Sequence, residues 1–236
     1  MYKFLYSILF ICVFTALYSA EDPIWQNRHT EAGAKKAYEH YKNLCQTKNN
    51  YDSCWKFARA AYFYAEHFIQ KKKDQKLLFK EGRDAAAKAA ELSADRVEGY
   101  YWYGVCLGSW AERISVFEQL KRLNEIKATV DRAENIDPKY DNGAIYILRG
   151  RIFHKAPGWL GDKKQAEEDY KTAINMGTIR RVVYRFYAEL LILLRRKNEA
   201  KSILETGIKL PIYEEDHMAD KKELEKLKNM LSKMTK

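Results

Sequence analysis

The chain of 236 residues has few of the residues that interrupt helices, with four prolines and eleven glycines in all. Pro23, Pro138, Pro157 and Pro211 leave long stretches in which nothing stops a helix, and almost no segment alternates in the manner of a strand. Sandwiches, barrels and parallel-sheet folds are thereby excluded. The five histidines, His29, His40, His67, His154 and His217, lack metal-ligand spacing. There is no His-Glu-x-x-His, no Cys-x-x-Cys and no glycine-rich phosphate loop, so the chemistries those motifs serve have no place to start. Glu215-Asp216-His217 reads as an acidic helix start, where negative charge suits the helix N-terminus. Glu167 and Glu168 are neighbours in sequence and do not face each other on a helix, and no nucleophile has a base beside it. The sequence reads as a non-enzyme with neither metal nor cofactor.

Long apolar runs are also scarce. The exception spans residues 4–17, behind Lys3 and ahead of Ser19, Ala20 and the polar Glu21-Asp22-Pro23. A basic start, a short apolar core and a small residue at the end describe a signal peptide over residues 1–20, cleaved near Ala20. The mature chain is then expected in the periplasm or cell envelope. The run is shorter than the roughly 20 residues of a membrane span. An N-terminal anchor and a lipid-modified Cys12 stay open as alternatives, and membrane association is expected only with Cys12 lipidated. The net charge of +10 is dispersed. Its dense stretches, such as Lys71-Lys-Lys73 and Arg195-Arg-Lys197, fall at helix ends and turns, which suits solubility and helix C-termini rather than nucleic acid.

Cys45, Cys54 and Cys106 follow the leader. Cys45 and Cys54 flank a polar turn segment at the end of one helical pattern and the start of the next, so they are the candidate disulfide of an oxidising compartment. Cys106 lies on an apolar helix face and reads as a small buried hydrophobe.

What the chain has in abundance is helical periodicity. Helices are expected over residues 31–44, from an N-cap at Asp52 or Ser53 to Ile69, from Asp74 to near Ser93-Ala-Asp95, and over 97–113, 116–136, 144–154, 163–175, 180–196, 198–209 and 218–234. Gly99-Tyr-Tyr-Trp-Tyr-Gly-Val-Cys-Leu107 returns in altered form as Ala144-Ile-Tyr-Ile-Leu-Arg-Gly-Arg-Ile-Phe153 and as Val183-Tyr-Arg-Phe-Tyr-Ala-Glu-Leu-Leu191. One such helix pair cannot bury its own apolar face and must stack on copies of itself. Ala188 and Ala200 come opposite each other across a short turn, whereas Gly150 and Ala166 leave room for an inserted loop over residues 157–162. Gly104 and Gly108 suggest a helix surface that a neighbouring backbone can approach closely. The expected fold is all-α: an α-solenoid of about four degenerate tetratricopeptide-like hairpins, with an N-terminal helix and a C-terminal capping helix. Residues 21–236 then form one domain, with the repeat core over about 52–210 and the last helix over about 218–234.

The strings Tyr100-Tyr-Trp-Tyr-Gly-Val-Cys-Leu-Gly-Ser-Trp110, Ala133-Glu-Asn-Ile-Asp-Pro-Lys-Tyr-Asp-Asn-Gly143, Leu148-Arg-Gly-Arg151 and Ala156-Pro-Gly-Trp-Leu-Gly-Asp-Lys163 carry a narrower likeness. They resemble the T-component (TatT) family, exported bacterial tetratricopeptide proteins linked with tripartite ATP-independent periplasmic (TRAP) transporters. The eukaryotic regulators of microtubule dynamics share a similar repeat core, and the leader favours the bacterial group. The resemblance implies an accessory protein that contacts a periplasmic solute-binding protein, with a homo-oligomer and a small organic ligand among the family's features. A small-molecule binding protein for organic acids or hydrophobic ligands, and an envelope scaffold with no transport role, are the alternatives.

A stack of this kind presents the inward positions of each first helix. The candidates are Tyr64, Tyr101, Arg151, His154, Arg185 and Glu189, with Trp110 and Trp159 near inserted loops. Arg151 and Arg185 suit bidentate capture of a carboxylate, and the aromatics suit an apolar pocket. The same spacing also describes ordinary core positions.

Overall fold

A computed structural model describes residues 22–157 and 160–234. The leader, Cys12 and Trp159 lie outside the described residues. Eleven α-helices occur among those residues, and no strand. They are α1 (Pro23–Gln26), α2 (Glu31–Lys48), α3 (Tyr51–Phe68), α4 (Lys72–Leu92), α5 (Val97–Ala111), α6 (Val116–Ile136), α7 (Ala144–Lys155), α8 (Lys163–Asn175), α9 (Arg181–Leu193), α10 (Lys197–Lys209) and α11 (His217–Met234).

Caps fix several of the starts. Thr30, Ser115 and Asp162 each accept a backbone N–H two or three residues into α2, α6 and α8, satisfying donors that a helix start leaves open. For α3 the cap is Asn50, not the Asp52 or Ser53 that the polar turn suggested. Its Oδ1 accepts from the Ser53 N–H at 2.9 Å while the Ser53 hydroxyl donates back to the Asn50 carbonyl. That reciprocal pair starts the helix earlier than its apolar pattern does.

Four antiparallel pairs, α3/α4, α5/α6, α7/α8 and α9/α10, stack in chain order between α2 and α11. Small residues set the close crossings. Ala58, Ala61 and Ala65 of α3 face Ala86 and Ala89 of α4, and all five are fully buried. A Cβ added at Gly82 would lie 2.8 Å from the Cys106 sulfur and 3.2 Å from the Ala58 carbonyl. Cys106 is fully buried, and burial pushes its thiol well above the usual range. Gly108 departs from expectation, because a Cβ there would meet nothing within 4 Å. The close approach falls instead at Gly99, whose Cβ would lie 2.8 Å from the Ala90 nitrogen.

Cys45 and Cys54 are joined by a disulfide across the α2–α3 turn. At the other end α11 lies on the last pair. Leu227 is fully buried over Gly207, and Met230, Leu231 and Met234 pack on the same cluster. A buried ion pair between Arg181 and Asp220 pins the start of α11, and Asp220 also accepts the Tyr213 N–H at 3.1 Å.

The two ends of the stack touch. Arg28 donates to the Glu215 carbonyl and sits 3.9 Å from Asp216. The His29 and His217 rings lie 4.1 Å apart, and Lys222 of α11 donates to the His67 carbonyl of α3 at 3.1 Å. Trp25 holds this seam from inside, with the guanidinium groups of Arg59 and Arg28 at 3.8 and 4.3 Å from its ring. Such stacked contacts are each worth about 0.5–2 kcal/mol.

Candidate binding face on the inner side of the stack

The first helices of the pairs form the inner layer: α3 touches α5, α5 touches α7, α7 touches α9 and α9 touches α11. Their inward positions follow one register. Each inner helix has a buried small residue, Ala65, Gly104, Gly150 or Ala188. Side chains three before and one after it project inward, one turn apart on a single helix face. On α3 these are Tyr62 and Glu66, on α5 Tyr101 and Val105, on α7 Ile147 and Arg151, and on α9 Arg185 and Glu189.

Several of these side chains lie within electrostatic reach of one another. Burial raises the Glu66 carboxyl, and the charges of Arg113, Lys226, Glu112 and Glu223 act on it from α11 and the end of α5. Tyr62 is raised far above its ordinary value by burial, and the nearest charges are Glu66 and Glu223. Burial also lifts Tyr101 to about 12, with Arg180 and Asp141 as the charges near it.

A ladder of ion pairs runs along the α7–α9–α11 side. Arg151 donates to Glu189 at 2.6 Å, Arg185 to the other oxygen of Glu189 at 2.7 Å, and Arg185 again to Glu223 at 2.5 Å. Lys226 closes the ladder on Glu223 at 2.7 Å. The Phe186 ring lies under both guanidinium groups, at 4.0 and 4.5 Å. The structure thus brings Arg151, Arg185 and Glu189 together, but carboxylates of the chain itself already occupy the two guanidinium forks.

The α3–α5 side differs. Tyr62 lies against Trp102 at 5.9 Å, Trp102 against Tyr101 at 5.2 Å, and Tyr101 against Tyr140 at 5.0 Å. The Trp102 indole N–H is buried without a hydrogen-bond partner among the described residues, and the hydroxyls of Tyr62, Tyr101 and Tyr140 make no hydrogen bond to another described residue. Arg180, bonded to Asp141 at 2.5 Å, flanks this aromatic strip. An inner surface with unpaired phenol donors suits a ligand with many carbonyl or hydroxyl groups, such as a polypeptide segment.

Three expected site residues point elsewhere. Tyr64 is two residues past Tyr62, about 200° around a helix, and stacks on Tyr38 of α2 at 5.8 Å in the outer layer. Trp110 faces α4, with Arg83 and Lys76 at 5.2 and 5.9 Å from its ring. His154 is buried against α8, its Nδ1 3.2 Å from the Tyr170 hydroxyl, and burial lowers its pKa to about 4. A small apolar cavity of about 100 Å³ opens beside the inner layer between α5, α6 and α7, lined by Gly108, Leu123, Ile152 and Pro157 with Arg151 and Lys155 at its rim. Tyr62, Glu66 and Tyr140 were missed by sequence reasoning. Aligning α3 on Ala65 would have found the first two.

The fold is that of a helical-repeat protein of tetratricopeptide type. The solved structure of a thermophilic tetratricopeptide protein from Thermus thermophilus is similar over 86% of this chain and 91% of that one, with a TM-score of 0.64 at 14% identity. The family model described as regulator of microtubule dynamics protein 1-3 matches residues 23–152, more than half of the chain, and the chain belongs to that family. No curated protein matches it.

Proposed function

We propose that this chain is an exported interaction protein that holds a segment of a partner polypeptide along the inner face of its helical stack. The observation that carries this is the strip Tyr62–Trp102–Tyr101–Tyr140. Its indole N–H is buried without a partner and its three hydroxyls bond to no other described residue, whereas Arg151, Arg185, Glu189 and Glu223 on the other side of the inner face are paired with one another. Export is supported by the leader pattern of residues 1–20 and by the Cys45–Cys54 disulfide, a bond of oxidising compartments. Microtubule regulation, the activity in the family's description, is not proposed for this chain, because microtubules belong to the reducing cytosol.

The more specific reading is an accessory role in a TRAP-type transport system, with a periplasmic solute-binding protein as the partner. It rests on the strings around Gly104, Gly143 and Gly150. The test is capture from a cell-envelope extract by the tagged mature chain, beside a variant carrying Tyr62→Phe, Tyr101→Phe and Tyr140→Phe, which removes only the hydroxyls. The expected result is a solute-binding protein recovered by the unmodified chain and depleted about tenfold or more by the variant, at roughly 0.5–1.5 kcal/mol for each of the three hydrogen bonds lost. Equal recovery by both chains contradicts the inner-face reading. Recovery of a different envelope protein, lost with the variant, keeps that reading and removes the transport role.

A further inference from the structure

The turn between α9 and α10 breaks the usual partition of apolar and polar side chains. Three successive large apolar residues lie in the open: Ile192 is 38% exposed, Leu193 58% and Leu194 38%. A run of that kind on a surface marks a contact site unless it is a flaw. Three cations follow at once, Arg195, Arg196 and Lys197. Arg196 is held by Glu167 and Glu199, each at 2.5 Å. Arg195 and Lys197 are exposed and have no ion-pair partner among the described residues.

The turn's backbone adds an independent observation. The Arg196 N–H donates to the Leu191 carbonyl at 2.8 Å and the Arg195 N–H to Ile192 at 3.0 Å, with Arg195 at φ 61°. This double closure places its pivot in the left-handed region, which favours glycine. Helix α8 ends in the same way, and there the pivot is Gly177 at φ 80°. At the α9 tip the chain bears the strain and keeps a guanidinium at the apex.

The position in the fold is consistent. In an antiparallel stack the starts of the second helices share one rim. The other strongly exposed apolar residues of this rim, Leu77 on α4 and Phe117 on α6, lie within the first two turns of their helices beside Lys73, Lys76 and Lys121. On the opposite rim two turns carry more acid than base, with Asp137 and Asp141 beside Lys139 after α6 and Glu214, Glu215 and Asp216 after α10, and its exposed apolar residues, Leu92 and Ile179, stand singly.

We propose that the α9–α10 tip docks the protein peripherally on an anionic lipid bilayer. Leu193 and Leu194 enter the boundary between headgroups and acyl chains, and Arg195 and Lys197 lie on the headgroup phosphates. A bilayer presents negative charge above an apolar layer, the same order as cations around a protruding apolar point. None of the helices among the described residues is long and apolar enough to cross a membrane.

The test is cosedimentation of the purified mature chain with vesicles of phosphatidylcholine alone and of phosphatidylcholine mixed with phosphatidylglycerol. The unmodified chain sediments with the anionic vesicles and stays in solution with the neutral ones. Leu193→Ser with Leu194→Ser abolishes most of the partitioning. Arg195→Gly raises the melting temperature by relieving the left-handed strain, yet weakens partitioning about fivefold. Those opposite signs separate docking from folding. Lys35→Gln with Lys36→Gln on α2, which removes the same kind of charge elsewhere, leaves partitioning unchanged. The proposal is overturned if the unmodified chain ignores anionic vesicles, if the tip variants bind as it does, or if the α2 variant loses as much. Absence from both vesicles, with crosslinks from the tip to a soluble protein, overturns it in favour of a protein contact.

Discussion

Glu189 and Arg151, on neighbouring inner helices, are joined at 2.6 Å, and the second oxygen of Glu189 is held by Arg185 at 2.7 Å. One carboxylate therefore balances two guanidinium groups that would otherwise repel across the inner face. Glu189→Ala leaves both half-buried cations facing each other and is expected to lower unfolding free energy by about 1–3 kcal/mol, below the cost of breaking a fully buried pair. Urea denaturation measures it. Because Arg185 keeps Glu223, a double-mutant cycle should give a larger coupling for Arg151 with Glu189 than for Arg185 with Glu189.

Two of the three glycines of α5, Gly99 and Gly108, should respond with opposite signs. Gly99→Ala puts a methyl 2.8 Å from the Ala90 backbone nitrogen, where no flexible side chain can yield. It is expected to cost about 1–3 kcal/mol by forcing α4 from α5. Gly108→Ala meets nothing within 4 Å and should stabilise by about 0.5–1 kcal/mol through helix propensity. Thermal melts of the two variants decide it.

The Cys45–Cys54 bridge closes a short loop, with the cysteines nine positions apart. Replacing both cysteines by serine, or adding reductant, is expected to remove about 2–3 kcal/mol. Denaturant midpoints with and without reductant measure it, and the serine variant should show no further response to reductant.

Acid should weaken the fold through its histidines. Burial lowers His29, His67 and His154 from 6.5 to about 4, assisted by Arg28 and His217 at His29, by Lys222 and Lys226 at His67, and by Arg151 at His154. In the unfolded chain each binds its proton near the ordinary value. Between 6.5 and about 4 the unfolded state therefore holds more protons, and stability falls as pH falls. The raised carboxyls of Glu66, Asp216 and Asp220 act in the opposite sense, because the fold favours their neutral forms. His154→Gln should flatten the decline in melting temperature through that window, at the cost of the Tyr170 bond at neutral pH. An unchanged slope would show that His154 binds its proton as readily in the fold as in the unfolded chain.

The stack was legible in the sequence because its cause is local. Gly150, Ala166, Ala188 and Ala200 sit at helical spacing, and Pro138 and Gly143 bracket the break between α6 and α7. The inner face of the stack was read less well. Choosing Tyr64 rather than Tyr62 turned α3 by two residues and faced it to the outer layer, and only the buried Ala65 sets the register. Tyr140 lies in a connecting turn, which no helical period reaches. The seam joining Arg28 to Asp216 depends on how far the stack winds before its ends meet. That is a sum of small rotations with no local signature.

The inner face is tested most directly by site-specific photocrosslinking in intact cells, with the reactive residue placed at Tyr101 on the inner strip and, separately, at Lys88 on the second helix α4. Crosslinks from position 101 to one envelope protein, with none from position 88, are the predicted result. Crosslinks to the same protein from position 88, with position 101 silent, would contradict a partner held on the inner face.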